Sequence, residues 1–246
     1  MNKLSLAADL HVHTIASGHA YSTVSELARE ASAKGLKAFA IADHGPAMPG
    51  GPHRYYFGNF RVLPQTIEGV KIIRGVELNI LNEAGEVDLP TRYLAMLDLA
   101  WAGLHALCFD GSGEENYTRA ALNALKNPYV DGLVHPGNPD FPLDAEAVVI
   151  QAKEYNKALE INNSSFHVRQ GSLDPCRQFA SLAVKHDLMI AVNSDAHFAA
   201  DIGRNEKASE VLAEAKLPER LIINSTMEKI ELFIQARMNR IEGLKE

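Results

Sequence analysis

The sequence predicts an α/β fold built on a parallel sheet. Three observations lead there. Short runs rich in Val, Ile, Leu and Ala alternate with longer segments of 3.6-residue periodicity. The alternation repeats about seven times, with Gly, Pro, Asn and Asp at the joins. Parallel neighbours need crossover connections, which the intervening helices supply. A closed barrel and an open, doubly wound sheet both fit this pattern.

The strands are expected at Leu6–His11, Ala38–Ala42, Lys71–Val76, Leu97–Leu104, Gly132–Val134, Ala158–Ile161 and Leu188–Val192. Ser22–Lys34 reads as the first helix, opened by a Ser-Thr cap and stopped by Gly35. Phe60–Glu68 follows a Gly/Pro/aromatic loop and is expected to be helical. Glu114–Lys126 ends before Asn127-Pro128, and Asp144–Asn156 starts on an Asp cap. Ser172–His186 carries Asp174-Pro175 in its first turn, where proline is tolerated. Asn205–Ala215 and Thr226–Ile241 are the last two helices. No long linker or low-complexity tract divides the 246 residues, which suit one domain of this class.

Composition narrows the partners. Hydrophobic residues make up 46% and charged residues 22%, as in a globular protein with a substantial core. The formal net charge of −7 disfavours a broad footprint on long nucleic acid. Two widely spaced cysteines, Cys108 and Cys176, form no disulfide framework and read as two buried thiols. A reducing, cytoplasmic location is expected. Met1 to Ala8 does not read as a signal peptide. The longest apolar stretch, Leu94 to Phe109, contains Asp98 and His105 and is too short to span a bilayer, so no membrane partner is expected.

The ten histidines are not scattered. His11 and His13 close the first strand, His19 follows in the next loop, and His44 ends the second strand. His105 and His135 follow the fourth and fifth, and His197 follows the seventh. Glu77 ends the third strand and Asp195 the seventh. In a parallel barrel or sheet all carboxyl-terminal strand ends lie on one face, so these nine metal-ligand types converge. The i, i+2 spacing of His11 and His13 puts both rings on one side of a strand. Neutral imidazole suits zinc, iron and other transition metals. Asp9 is placed to orient a ligand histidine. A lone H-x-H is a weak signal, but nine buried titratable groups without metal would leave polar atoms unsatisfied. His53 and Arg54 in a Gly/Pro loop, and Asn163, His167 and Arg169 after the sixth strand, are the expected substrate contacts.

These residues resemble a known family. Asp9-Leu10-His11-Val12-His13-Thr14, His19-Ala20-Tyr21-Ser22 and Asp43-His44-Gly45-Pro46 are similar to the opening motifs of the PHP (polymerase and histidinol phosphatase) family. Gly75-Val76-Glu77, Gly103-Leu104-His105, His135-Pro136-Gly137-Asn138-Pro139 and Asn193-Ser194-Asp195-Ala196-His197 follow its later motifs in order. Glu160-Ile161-Asn162-Asn163-Ser164-Ser165-Phe166 resembles the YcdX-like phosphatase branch. The resemblance covers essentially the whole chain. It implies a single distorted (β/α)7 TIM-like barrel domain over residues 1–246, with the metal site at the C-terminal strand ends.

It further implies three divalent ions: zinc, with Mn2+ or Fe2+ as alternatives. His11, His13, Glu77 and Asp195 would hold one ion, and His19, His44 and His197 a second. Glu77, His105 and His135 would hold the third. Glu77, His11 and Asp195 would then be the catalytic residues. Two carboxylates against three ions leave about +4, a local trap for a small phosphorylated substrate. A metal-activated hydroxide would hydrolyse its phosphate ester. A homotrimer is a further implication. A metal-dependent amidohydrolase and a non-catalytic metal-binding module are the alternatives.

Overall fold

A computed structural model describes residues 4–244; the first three residues of the N-terminal segment lie outside the described part. Nine strands form two sheets among the described residues. The first has the order β1 (Ala8–Val12), β2 (Ala38–Ile41), β4 (Val70–Arg74), β3 (Thr66–Ile67). The second runs β5 (Glu77–Asn79), β6 (Trp101–Gly103), β7 (Gly132–Leu133), β8 (Ala158–Asn162), β9 (Ile190–Asn193), all parallel. Isolated parallel bridges join the two sheets at both sides, His44 with Glu77 and Val12 with Ala196.

The longer helices match the expected segments and owe their starts to local chemistry. Thr23 and Glu26 form a reciprocal capping box on α1 (Val24–Ala33). Asp144 accepts from Ala147 N–H at the start of α5 (Ala145–Glu154). Short helices α2 (Tyr55–Gly58), α3 (Thr91–Leu94) and α6 (Ser165–Val168) lie in loops. The remaining helices are α4 (Glu114–Lys126), α7 (Leu173–His186), α8 (Glu206–Glu214) and α9 (Met227–Glu242). None of the helices among the described residues is long and apolar enough to cross a membrane.

Three expectations need correction. Phe60–Glu68 is not a helix: after a single 3-10 turn at Phe60–Val62, Pro64 follows and Thr66–Ile67 pairs antiparallel with β4. The turn between them is Glu68-Gly69, both at positive φ (52° and 76°), as a two-residue hairpin requires. The third strand breaks at Gly75, so that Glu77 opens β5 in the second sheet. A Cβ on Gly75 would lie 2.7 Å from the Ile41 carbonyl oxygen, so the crossing between β2 and β6 admits only glycine. Of the two thiols expected to be buried, Cys176 is and Cys108 is only partly so, because it sits in the turn after β6.

Two layers of core hold the strands. Along β2, Phe39 and Ile41 pack outward against the helices, while Ala38, Ala40 and Ala42 face the inner cluster. Trp101 fills that inner space, donates to the Leu10 carbonyl at 2.8 Å and stacks on Phe233 of α9. Burying an indole of this kind contributes roughly 4–6 kcal/mol of transfer free energy. Arg237 of α9 seals the amino-terminal ends of β6 and β7. Its buried guanidinium donates to Asp131 and to the carbonyls of Leu94, Leu97 and Tyr129. The opposite ends of the strands carry the histidines.

Candidate metal centre

Glu77 is the hub of the site. Its carboxylate is 1% exposed. Five imidazole nitrogens surround it: His44 Nδ1 and His135 Nε2 at 2.8 Å, His105 Nε2 at 3.1 Å, and His11 and His13 Nε2 at 3.4 Å. Asp195 forms a second acidic pole, 3.1 Å from His13 Nε2 and 3.6 Å from His11 Nε2. His197 stacks on His13 with ring centroids 4.2 Å apart. The ring of His19 lies 5.0 Å from those of His44 and His197, at the exposed edge. The nine predicted ligand residues therefore come together, with Glu77 entering from the kink between β4 and β5 rather than from a strand's carboxyl end.

The backbone is bent to bring them there. His135 and Asp195 have positive φ, 34° and 55°, in a region that costs a non-glycine residue of order 1–3 kcal/mol. Gly103 passes between two candidate ligands: a Cβ there would sit 2.9 Å from His135 Cε1 and 3.0 Å from His105 Cε1.

The donor atoms fit a cation. His11 Nδ1 is bound to Glu160 at 2.8 Å, which places a proton on Nδ1 and turns Nε2 inward. Ser17 Oγ donates to Asp43, so it accepts from His13 Nδ1, and His13 Nε2 also turns inward. The two Nε2 atoms then face each other at 3.1 Å. Two facing lone pairs repel unless positive charge lies between them. Glu77 Oε2 and His44 Nδ1 approach to 2.8 Å, yet both are buried without a hydrogen-bond partner; His105 Nδ1 is likewise unpartnered. Three groups have ligand atoms close enough to share an ion: His11–His13–Asp195, His13–His44–His197 and His44–Glu77–His105.

Electrostatics agree. Burial pushes the Glu77 carboxyl up, but His44, His11 and His105 outweigh it and hold it well below the usual range. Burial acts on Asp195 in the same direction, and His11, His13 and Arg169 overcome it. Burial and the neighbouring His197 press His13 well below its ordinary value, and burial with Arg169 lowers His135 to about 4. Burial opposes charge on His11, but Glu160, Asp195 and Glu77 prevail and raise it, so protons and metal ions compete for this ring.

Asp9 does not orient a ligand ring. It accepts from the backbone N–H groups of His11, Ser194 and Gly203 and from the Ser194 hydroxyl, tying β1 to the loop after β9. Glu160 orients His11 instead. Its signal in the sequence was a lone carboxylate inside the apolar strand Ala158–Ile161.

The five expected substrate contacts separate. Arg169 lies 3.4 Å from Asp195 Oδ2 and donates to Ser165 Oγ at 3.0 Å. With Asn163, Ser164, His167, Asp195, His197 and Arg204 it lines a cleft of about 480 Å³. Sequence reasoning missed Arg204. Asn163 directs its carbonyl oxygen to the Lys207 and Ala208 N–H groups at the start of α8, which leaves only its amide for a ligand. His53 and Arg54 are exposed in the Gly/Pro loop and line none of this cleft. That loop touches the His19 segment, since a Cβ on Gly18 would fall 2.4 Å from Gly50 O.

A buried cluster of histidines and acids at the strand ends of an α/β fold is a candidate metal-binding site. Comparison with known proteins identifies its class. The PHP domain model matches residues 9–174, and the chain belongs to the PHP family. A probable phosphatase of Caldanaerobacter subterraneus subsp. tengcongensis is 51% identical over 98% of this chain and 96% of its own. A probable phosphatase of Acetivibrio thermocellus is 47% identical over 97% and 99%. Histidinol phosphate phosphatase from Lactococcus lactis, crystallised with zinc, L-histidinol and phosphate, superposes with a TM-score of 0.58 at 18% identity. That match covers 87% of this chain and 94% of the other. The protein is a metal-dependent phosphoester hydrolase of this family.

Proposed function

We propose that the chain is one domain whose strands close into a distorted seven-stranded barrel, and that its mouth holds three divalent ions for hydrolysis of a small phosphate monoester. Closure is supported by the bridges Val12–Ala196 and His44–Glu77, with β4 and β5 counted as one strand kinked at Gly75. The observation that carries the function is the Glu77 carboxylate, faced by five imidazole nitrogens within 3.4 Å.

The ions divide among the ligands as follows. His11, His13, Glu77 and Asp195 would hold the first, and His19, His44 and His197 the second. Glu77, His105 and His135 would hold the third, so Glu77 would serve two ions. Zinc is the proposed metal; the Lactococcus enzyme contains it. Divalent ions supply Lewis-acid stabilisation of charge on phosphoryl oxygens and lower the pKa of water to ~7.

The chain's own residues do the rest. Glu77 and Asp195 stay ionised and supply two negative charges that hold the ions. Arg169, beside Asp195 and open to the cleft, pairs with phosphate oxygens and orients the ester. The cleft of about 480 Å³ takes a small alcohol as leaving group. Among the described residues, the basic groups paired with Glu77 and Asp195 are histidines and Arg169, with no lysine of the kind amidohydrolases use.

The test offers metal-reconstituted protein sugar phosphates, nucleoside monophosphates, histidinol phosphate and 3′,5′-bisphosphates. Release of inorganic phosphate from a small monoester is expected. Cleavage of amide substrates without release of phosphate from any ester would contradict the reading.

A further inference from the structure

Two buried carboxylates stand behind the candidate ligands without belonging to them. Glu160 on β8 is 1% exposed and accepts four hydrogen bonds. Its Oε1 receives His11 Nδ1–H at 2.8 Å and the Asn193 amide at 2.9 Å. Its Oε2 receives the His135 backbone N–H at 2.8 Å and the Asn162 amide at 3.0 Å. That Asn162 amide also donates to Asp195 Oδ2 at 3.1 Å. Three of its four donors are therefore a candidate ligand or a group bound to one.

Asp43 serves different ligands. Its Oδ1 accepts from Ser17 Oγ–H at 2.7 Å, and Ser17 Oγ accepts from His13 Nδ1–H at 2.9 Å and from the His44 backbone N–H at 3.2 Å. Its other bonds go to Thr14 and Tyr56. The two carboxylates share no hydrogen-bond donor.

We propose that Glu160 and Asp43 are separate positioning clamps, each preorganising one half of the metal centre. Glu160 acts on His11, His135 and Asp195. Asp43 acts through Ser17 on His13 and His44. The inference rests on the metal-centre reading above. On that reading the Glu77–His105–His135 ion depends on Glu160 alone, and the His19–His44–His197 ion on Ser17 alone. The physical cause is the same in both halves. A carboxylate or hydroxyl that accepts from Nδ1–H fixes the tautomer and aims the Nε2 lone pair; at His135 and His44 the clamp instead holds the backbone. For His135 this backbone is left-handed, and the bond to Glu160 keeps it there.

Glu160→Gln is nearly isosteric but presents one acceptor atom instead of two. Whichever way the amide is turned, its NH2 group meets two donors. Ser17→Ala removes the link from Asp43 and leaves both carboxylates in place. Metal-free protein is titrated with zinc against a chromophoric chelator, which counts tight ions and their affinities. Loss of such supporting bonds lowers metal affinity by about 10–100-fold.

The expected pattern is a crossed one. In the Glu160→Gln background, His19→Ala removes a further tight ion and His105→Ala removes none. In the Ser17→Ala background, His105→Ala removes a further ion and His19→Ala removes none. Wild-type affinity in Glu160→Gln, or loss of the same ions in both backgrounds beyond the His11–His13–Glu77–Asp195 ion that both clamps touch, overturns the proposal. Wild-type protein that binds no divalent ion would instead sink the metal centre itself. If metal-free Glu160→Gln does not unfold cooperatively, Glu160→Asp, which keeps the charge and withdraws both oxygens, carries the same expectations. Failure of both to fold would make Glu160 a folding residue and overturn the clamp.

Discussion

Replacing Glu77 by Gln changes one atom and removes one charge. In the structure both carboxylate oxygens face imidazoles: Oε1 faces His105 and His135 at 3.1 and 2.8 Å, and Oε2 lies 2.8 Å from His44 Nδ1 with no hydrogen bond between them. An amide nitrogen in place of either oxygen cannot bind a cation and directs N–H bonds at lone pairs meant for one. Removing one partner of a buried charged pair costs about 3–5 kcal/mol. At 1.4 kcal/mol per decade this is roughly two to four decades in affinity for each ion that Glu77 touches. Since Glu77 is assigned to two ions, activity at zinc levels that saturate the wild type should fall at least ~100-fold. Elemental analysis and phosphate release in a single turnover would be measured on the same sample. Full activity with an unchanged ion count in Glu77→Gln would refute the bridging assignment.

Four further outcomes are expected. Metal content should fall on acidification, first at His11, whose carboxylate neighbours favour its protonation, and later at His135, which burial and Arg169 lower to about 4; content constant down to about pH 3 would exclude histidine ligands, which must be neutral to bind. Arg169→Ala should raise KM for a phosphomonoester about 10-fold or more while elemental analysis finds unchanged metal content, since it removes a charge-assisted bond to substrate. Burial and the nearby Arg240 lower Lys157 to about 7. The unfolded chain then binds more protons than the folded one between pH 7 and about 10, so stability rises with pH in that window, and denaturant unfolding of Lys157→Met should lack this rise. Thr23→Ala should cost about 1 kcal/mol of stability through the lost cap, measured by denaturant unfolding, with kcat unchanged.

The convergence of the candidate ligands was legible because topology did the work that distance in sequence hides. Parallel strands end on one face, so His11 and His197 could be assigned to one site although they are 186 positions apart. Caps and glycine stops placed most helices to within two residues at each end, because those signals are local. What failed was not local. The break falls at Gly75, where Ile41 of β2 and Leu99 ahead of β6 crowd the backbone, and apolar periodicity runs through it unchanged. The hairpin at Glu68-Gly69 was masked by a helix-like spacing, although Pro64 and Gly69 marked it. Glu160 stands inside a motif in the sequence, and its bonds to His135 and Asn193 exist only once β8 lies between β7 and β9, that to His11 only once β1 faces it. The second task of Asn163, whose carbonyl oxygen caps the start of α8 while its amide stays on the cleft, is not legible because nothing in the sequence shows that α8 begins against its side chain.

The most direct test of the account follows phosphomonoester hydrolysis while divalent ions are stripped and then restored in counted equivalents. The account predicts that phosphate release disappears with the ions, returns as they are added back, and reaches its plateau at three per chain. Undiminished hydrolysis by protein shown to contain no metal would contradict it.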